Sequence, residues 1–296
     1  MLVPILTCLA VTPLLAACTS DDPADQASSG LDLSADLDRQ SGAIVFPADR
    51  LKMTRSDVET LDSAYSFAVA ACAKDLGVDY SPFAPNDEPL YDASNYFGVW
   101  LEKYAQEFGF VAPMTPADMA ANGVKGAPSV TEHAPGAGPE SAQLSDDDRA
   151  QLEPCFTSEE ASRFDAVSLA GAAPWNGPLG QIDAEFFGYP EAEEVVADYD
   201  DCLKANGLQP QPDTPGFARG ADSREISAEQ IELALKVVAC KDEVDYVQRL
   251  ADVMADKQAP IIEDYATEMV AQKEKTDQVV AEAEAYISEH RSEFGQ

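Results

Sequence analysis

Between residues 55 and 77 apolar side chains return every three or four positions: Val58, Leu61, Tyr65, Ala68, Val69, Cys72 and Leu76. That spacing lays one stripe along an α-helix. Ser56-Asp57-Val58-Glu59 reads as its capping box, with hydroxyl and carboxylate satisfying free amides of the first turn, and Gly77 is placed to end it in a left-handed turn. A second helix of the same design runs from Glu191 to Asn206 with Val195, Val196, Tyr199, Cys202 and Leu203 on its stripe, and stops at Gly207. The ends match: Cys72-Ala73-Lys74-Asp75-Leu76-Gly77 against Cys202-Leu203-Lys204-Ala205-Asn206-Gly207, each followed by an apolar residue and then proline (Pro82; Pro210 and Pro212). The match reads as an internal repeat of helix, glycine cap and extended exit.

Shorter pieces lie between. Tyr96-Phe97-Gly98-Val99-Trp100 and Phe108-Gly109-Phe110 bracket a short helix, and Phe186-Phe187-Gly188-Tyr189-Pro190 repeats the aromatic-glycine style ahead of the second cysteine helix. These rings are expected in the core beneath helix ends. Residues 113–144, rich in Ala, Gly, Pro and Ser, read as a long mobile loop, after which Ser145-Asp146-Asp147-Asp148 caps a helix reaching Pro154-Cys155. Ser227-Ala228-Glu229-Gln230 is a further capping box, followed at helical spacing by Ile231, Leu235, Val238, Val244, Val247, Leu250 and Met254. Pro260 is expected to break this run, and Ile261, Ile262, Tyr265, Met269, Val279, Val280, Tyr286 and Ile287 continue it, as one bent rod or as a hairpin. Strand signals are nearly absent. The expected fold is mostly α: a disulfide-stapled helical body over residues 43–296, in halves 43–180 and 181–296, with a long C-terminal helix or helical hairpin.

The first residues change the picture. An uncharged apolar run through Ala17 closes in Leu15-Ala16-Ala17-Cys18 and opens into Thr19-Ser20-Asp21-Asp22. Residues 1–17 read as a secretory signal, and the cysteine after small residues looks like a lipobox, in which the thiol takes a diacylglyceryl group and becomes the new N-terminus. Two acyl chains suffice for stable anchoring. Residues 18–42, dominated by Ser, Asp, Ala and Gly, are expected to form a flexible acidic linker.

Nineteen Lys and Arg stand against 54 Asp and Glu, a net charge of −35. Such a surface repels nucleic acid and anionic headgroups, so membrane attachment falls to the lipid. Of six cysteines, Cys8 lies in the signal and Cys18 carries the lipid; Cys72, Cys155, Cys202 and Cys240 remain. An even set in an exported chain implies disulfides, while a zinc site lacks the short spacing of a metal knuckle. Three connectivities are open. The repeat favours Cys72 with Cys155 and Cys202 with Cys240, since sequential pairing keeps each half self-contained.

Catalytic and cofactor residues are not identified. The two histidines, His133 and His290, neighbour no plausible nucleophile, and no G-x-S-x-G elbow, H-E-x-x-H, P-loop, dinucleotide fingerprint or EF-hand loop occurs. Asp146 to Asp148, Glu191, Glu193, Glu194, Asp198, Asp200 and Asp201 are the acids a carboxylate enzyme or metal site would draw on, and in so acidic a chain a solvated surface is the simpler expectation.

Lipobox, paired C-x4-G helix ends, aromatic-glycine turns and the late element at Ala234, Cys240 and Lys241 together resemble uncharacterised lipid-anchored or secreted proteins of actinobacteria, over roughly residues 46–290. The chain departs from that pattern at Val237, where it has an acid, and at Ala73, where it has Met or Leu. The resemblance implies export and disulfides and supplies no activity. The functional expectation is a non-catalytic binding or scaffolding module on the extracytoplasmic face of the membrane, partnered by the membrane through its lipid and by an envelope protein or polysaccharide. The rival is an envelope enzyme that uses two carboxylates on polysaccharide or peptidoglycan.

Overall fold

The 3.6-residue periodicity of the chain is realised as helix over more than half of the described residues. The structure is a computed structural model and describes residues 30–83, 91, 93–94, 96–128 and 144–295. The signal, Cys18, His133 and residues 129–143 of the expected loop lie outside the described residues. Among the described residues there are ten α-helices and one two-stranded antiparallel pairing of β1 (Asp36–Leu37) with β2 (Ile44–Val45). None of these helices is long and apolar enough to cross a membrane.

Residues 31–42 are not linker. Leu31, Leu33, Ala35 and Leu37 alternate with exposed Asp32, Ser34, Asp36 and Asp38, and their apolar sides lie against the main core. Alternation at period two is a strand signal that the polar composition masks.

The first cysteine helix, α1 (Arg55–Leu76), starts two residues earlier than its expected box: Thr54 caps it, exchanging hydrogen bonds with Asp57, while Glu59 pairs with Arg55. Gly77 ends it at φ +73°, with Val78 N–H donating to Ala73 O. Its buried face is broader than the predicted stripe because Ser63, Ala64, Ser66, Phe67, Ala70 and Ala73 are also enclosed, and Leu76 is exposed. Ser63 and Ser66 hydroxyls bond the backbone of Phe83, which satisfies them inside the apolar face.

Helices α2 (Glu102–Phe108) and α3 (Pro116–Ala121) follow. The second corrects the long-loop expectation: Thr115 caps it, Met119 is buried, and Lys125 pairs in parallel with Glu225. Ser145 caps α4 (Asp146–Phe156). The short α5 (Glu159–Ser162) and α6 (Ala166–Ala170) lead to α7 (Asn176–Glu185), and Pro190 opens the second cysteine helix, α8 (Pro190–Ala205), at its first turn. Gly207 repeats the cap of Gly77, at φ +73° with Leu208 N–H on Leu203 O.

The late apolar run is divided elsewhere than Pro260. Helix α9 (Ala228–Glu243) is capped by Ser227, but Gln230 turns away from the expected box to bond Asp222 N–H and Gly220 O. The chain turns at Val244 and Asp245, the latter at φ +51°, and α10 (Tyr246–His290) then runs 45 residues without a break, roughly 68 Å. Pro260 sits on its exposed side, as does Asp256, whose carbonyl loses its partner where water can reach it. On the opposite side Gln258, Ile262, Ala266 and Met269 are buried, and Gln258 accepts from Ala48 N–H at 3.1 Å. Burial along that side holds the helix through a residue that costs about 3 kcal/mol in a helix interior.

The cores do not divide the chain at residue 180. The larger one gathers Phe46, Phe97, Trp100 and Trp175 from the first half with Tyr199, Val237, Leu250 and Met254 from the second. A second packs α1, α4 and α5 against Ala283, Tyr286 and Ile287 near the end of α10, and a small third gathers Phe108, Val111 and Met119. One long helix therefore serves the first two, and the halves interlock through it.

Candidate functional site

Lysine normally keeps its ammonium in water. Lys241 does not. It follows Cys240 on α9 and shares the buried face of Ala234, Val237 and Val238, and only 2% of it is exposed. Its Nζ donates to the carbonyls of Phe97 at 2.6 Å and Val99 at 2.7 Å, spanning Gly98. The rings of Tyr246, Tyr199 and Phe217 surround the amine, with centroids 5.5, 5.9 and 6.0 Å from Nζ. No carboxylate pairs with it in the described residues, and burial pushes its pKa down to about 7. Burial likewise raises the pKa of Tyr199 and Tyr246, whose rings lie 4.7 Å apart and whose hydroxyls are enclosed without a hydrogen-bond partner in the structure.

Two glycines make the enclosure possible. Gly98 (φ +73°) passes so close that a Cβ there would lie 3.1 Å from Lys241 Nζ and from the Phe217 ring. At Gly216 (φ +85°) a Cβ would stand 2.7 Å from Phe97 O. We therefore expect Gly216→Ala to lower stability by about 2–4 kcal/mol through left-handed strain plus a backbone clash. Gly180→Ala, in α7 with nothing within 4 Å, should raise it by about 0.5–1 kcal/mol. Thermal melts of the two variants check the pair.

The aromatic-glycine strap 97–101, α8, α9, the loop carrying Phe217 and the start of α10 thus meet on one amine. The Cys202–Cys240 disulfide, with Cα atoms 5.7 Å apart, ties α8 to α9 one residue away. Chemically this is a clamp: a buried amine held by two backbone carbonyls fixes the strap 97–101 against α9. The sequence marks Lys241 only as part of the late element with Ala234 and Cys240 and gives it no role. The signal that identifies it is its place three, four and seven residues beyond Val238, Val237 and Ala234.

Cys72 on α1 is joined to Cys155 on α4, with Cα atoms 5.6 Å apart, and Tyr65 donates across the same contact to Phe156 O. The acids that a carboxylate mechanism would use are dispersed onto separate cations: Asp198 on Arg249 at 2.8 Å, Glu191 on Lys257 at 2.9 Å, Asp201 on Lys204 at 2.9 Å. The hydrogen bond from Lys257 lowers the Glu191 pKa, whereas burial raises that of Asp200. Asp148 accepts from the Ser145 cap. His290 stacks on Tyr286 at 4.0 Å with Nδ1 2.8 Å from Tyr286 O. Among the described residues no group of three or more His, Cys, Asp or Glu is arranged to hold a metal. Phe97, Trp100 and Phe186 are buried, so the aromatic-glycine turns pack the core; Tyr96 is partly exposed and donates to Asp183.

No protein-family model, curated protein or solved structure matches the chain.

Proposed function

We propose that the chain is an exported lipoprotein, held by a diacylglyceryl group on Cys18 at the extracytoplasmic face of the cell membrane, and that it works there as a binding or scaffolding module of the envelope. The observation that carries this reading is the pair of disulfides, Cys72–Cys155 and Cys202–Cys240, each joining helices distant in sequence. Such bonds persist in oxidising compartments. They agree with Leu15-Ala16-Ala17-Cys18 and with the likeness to lipid-anchored actinobacterial proteins. Rigid stapling around Lys241 suits a body that presents a fixed surface, and a net charge of −35 favours cationic or neutral envelope partners over nucleic acid. The enzyme reading needs two facing carboxylates about 5–10 Å apart. The ion pairs of Asp198, Glu191 and Asp201 favour binding over that chemistry.

Labelled palmitate tests the anchor. The wild-type chain should take up label and sediment with membranes, and Cys18→Ser should lose the label and stay uncleaved or be released. Equal labelling of the two would refute the assignment.

A further inference from the structure

The C-terminal end of α10 and the first turns of α1 enclose a groove of about 380 Å³ lined by Thr60, Glu284, Ile287, Ser288 and Arg291. That volume falls in the range of small-ligand sites. In a chain with net charge −35 most of the lysines and arginines sit against a carboxylate. Arg291 does not: among the described residues no hydrogen bond or ion pair engages its guanidinium. The same holds for the side chains of Thr60, Glu284 and Ser288. Four uncommitted polar groups of three kinds therefore face one space, beside the buried apolar side chain of Ile287.

Their order along the helix defines a ligand. Glu284 and Arg291 are seven residues apart, roughly 10 Å along the axis. A cation is favoured at the Glu284 end, and a carboxylate at the Arg291 guanidinium, whose fork matches it in two hydrogen bonds. The hydroxyls of Ser288, which lies between the charges along the helix, and of Thr60 on α1 can donate to or accept from amides. An extended tripeptide with free ends spans about 10 Å between its charges. None of the lining residues is aromatic, so the stacking surface a sugar would need is missing.

We propose that this groove binds short peptides with free termini, the ammonium at Glu284, the carboxylate at Arg291, and the central residue against Ile287. The proposal rests on the binding-module reading and gives it a ligand class.

Calorimetric titration of the full chain in detergent with Ala-Ala-Ala tests it. Saturable heat is expected, weakened at least about tenfold by Arg291→Gln and by Glu284→Gln, as loss of a charged hydrogen-bond partner implies. Both positions are exposed, so each variant should melt with the wild type, which separates lost binding from lost folding. N-acetylated and C-amidated Ala-Ala-Ala should each bind at least about tenfold more weakly. No heat at millimolar peptide, unchanged binding in both variants, or equal binding of the blocked peptides would overturn the proposal. Absence of heat in a palmitate-labelled protein would refute the groove alone, and loss of the Cys18 label would leave the titration standing.

Discussion

Raising the pH from 7 to about 9.5 is expected to stabilise the protein, and Lys241→Met to abolish that gain. The folded pKa of Lys241 is about 7 because burial penalises its charge, against 10.5 for the unfolded chain. Between those values the unfolded state binds the extra proton, so unfolding becomes less favourable as pH rises, by up to about 1.4 kcal/mol per unit. The full cost of the buried charge is present below pH 7, where both states are protonated. Other groups set the limits of the window. Asp62 and Asp200, raised mainly by burial, act in the acid range. Tyr199 and Tyr246, raised by burial, oppose the gain above about pH 10, where tyrosines of the unfolded chain ionise and these two stay neutral. Methionine keeps the length of the side chain but orphans the carbonyls of Phe97 and Val99, at about 1–3 kcal/mol each. The variant should be less stable by about 2–4 kcal/mol at pH 9, with a smaller deficit at pH 6 and no rise between them. Urea melts at stepped pH decide this. A wild-type profile that is flat or falling from 7 to 9.5 would show that the amine is not enclosed as described.

Removing both disulfides should unfold the protein near 37 °C. The bridges close loops of 83 and 38 residues, and chain entropy assigns them roughly 4–5 and 4 kcal/mol. Their sum rivals the total stability of an ordinary domain, about 5–15 kcal/mol. The Cys202→Ala, Cys240→Ala pair should cost more than its loop length implies, because Cys240 precedes Lys241 and a loosened α9 would release the amine from its carbonyls. The Cys72→Ala, Cys155→Ala pair should leave the pH gain of Lys241 intact, since its core is the one at the far end of α10. Melting of the two double variants with and without reductant gives each cost, and equal loss of the pH gain in both would contradict the separation of the cores.

The helices were legible in the sequence wherever local chemistry and burial agree. Gly77 and Gly207 end their helices as C-x-K-x-x-G suggests because the left-handed turn is a local requirement that glycine meets without steric cost. Ser145 and Ser227 cap for the same kind of reason. Reading failed where tertiary contacts overrule local preference. Pro260 stays helical because Gln258, Ile262, Ala266 and Met269 are buried on the side away from it. Leu31 to Leu37 are held by a core whose partners come from far along the chain. Lys241 lies on an apolar stripe at correct spacing, but its two carbonyl partners belong to residues more than 140 positions earlier, a pairing that periodicity does not encode. The groove of Glu284 and Arg291 was equally hidden, since its wall at Thr60 comes from a helix at the other end of the chain.

Intact mass of the protein extracted from its own membranes, without reductant, tests the central account most directly. The expected species is a chain that begins at Cys18, carries a diacylglyceryl group, and resists thiol alkylation because Cys72, Cys155, Cys202 and Cys240 are all paired. A membrane-extracted chain without lipid on Cys18, or one that alkylates at those four cysteines, would contradict it.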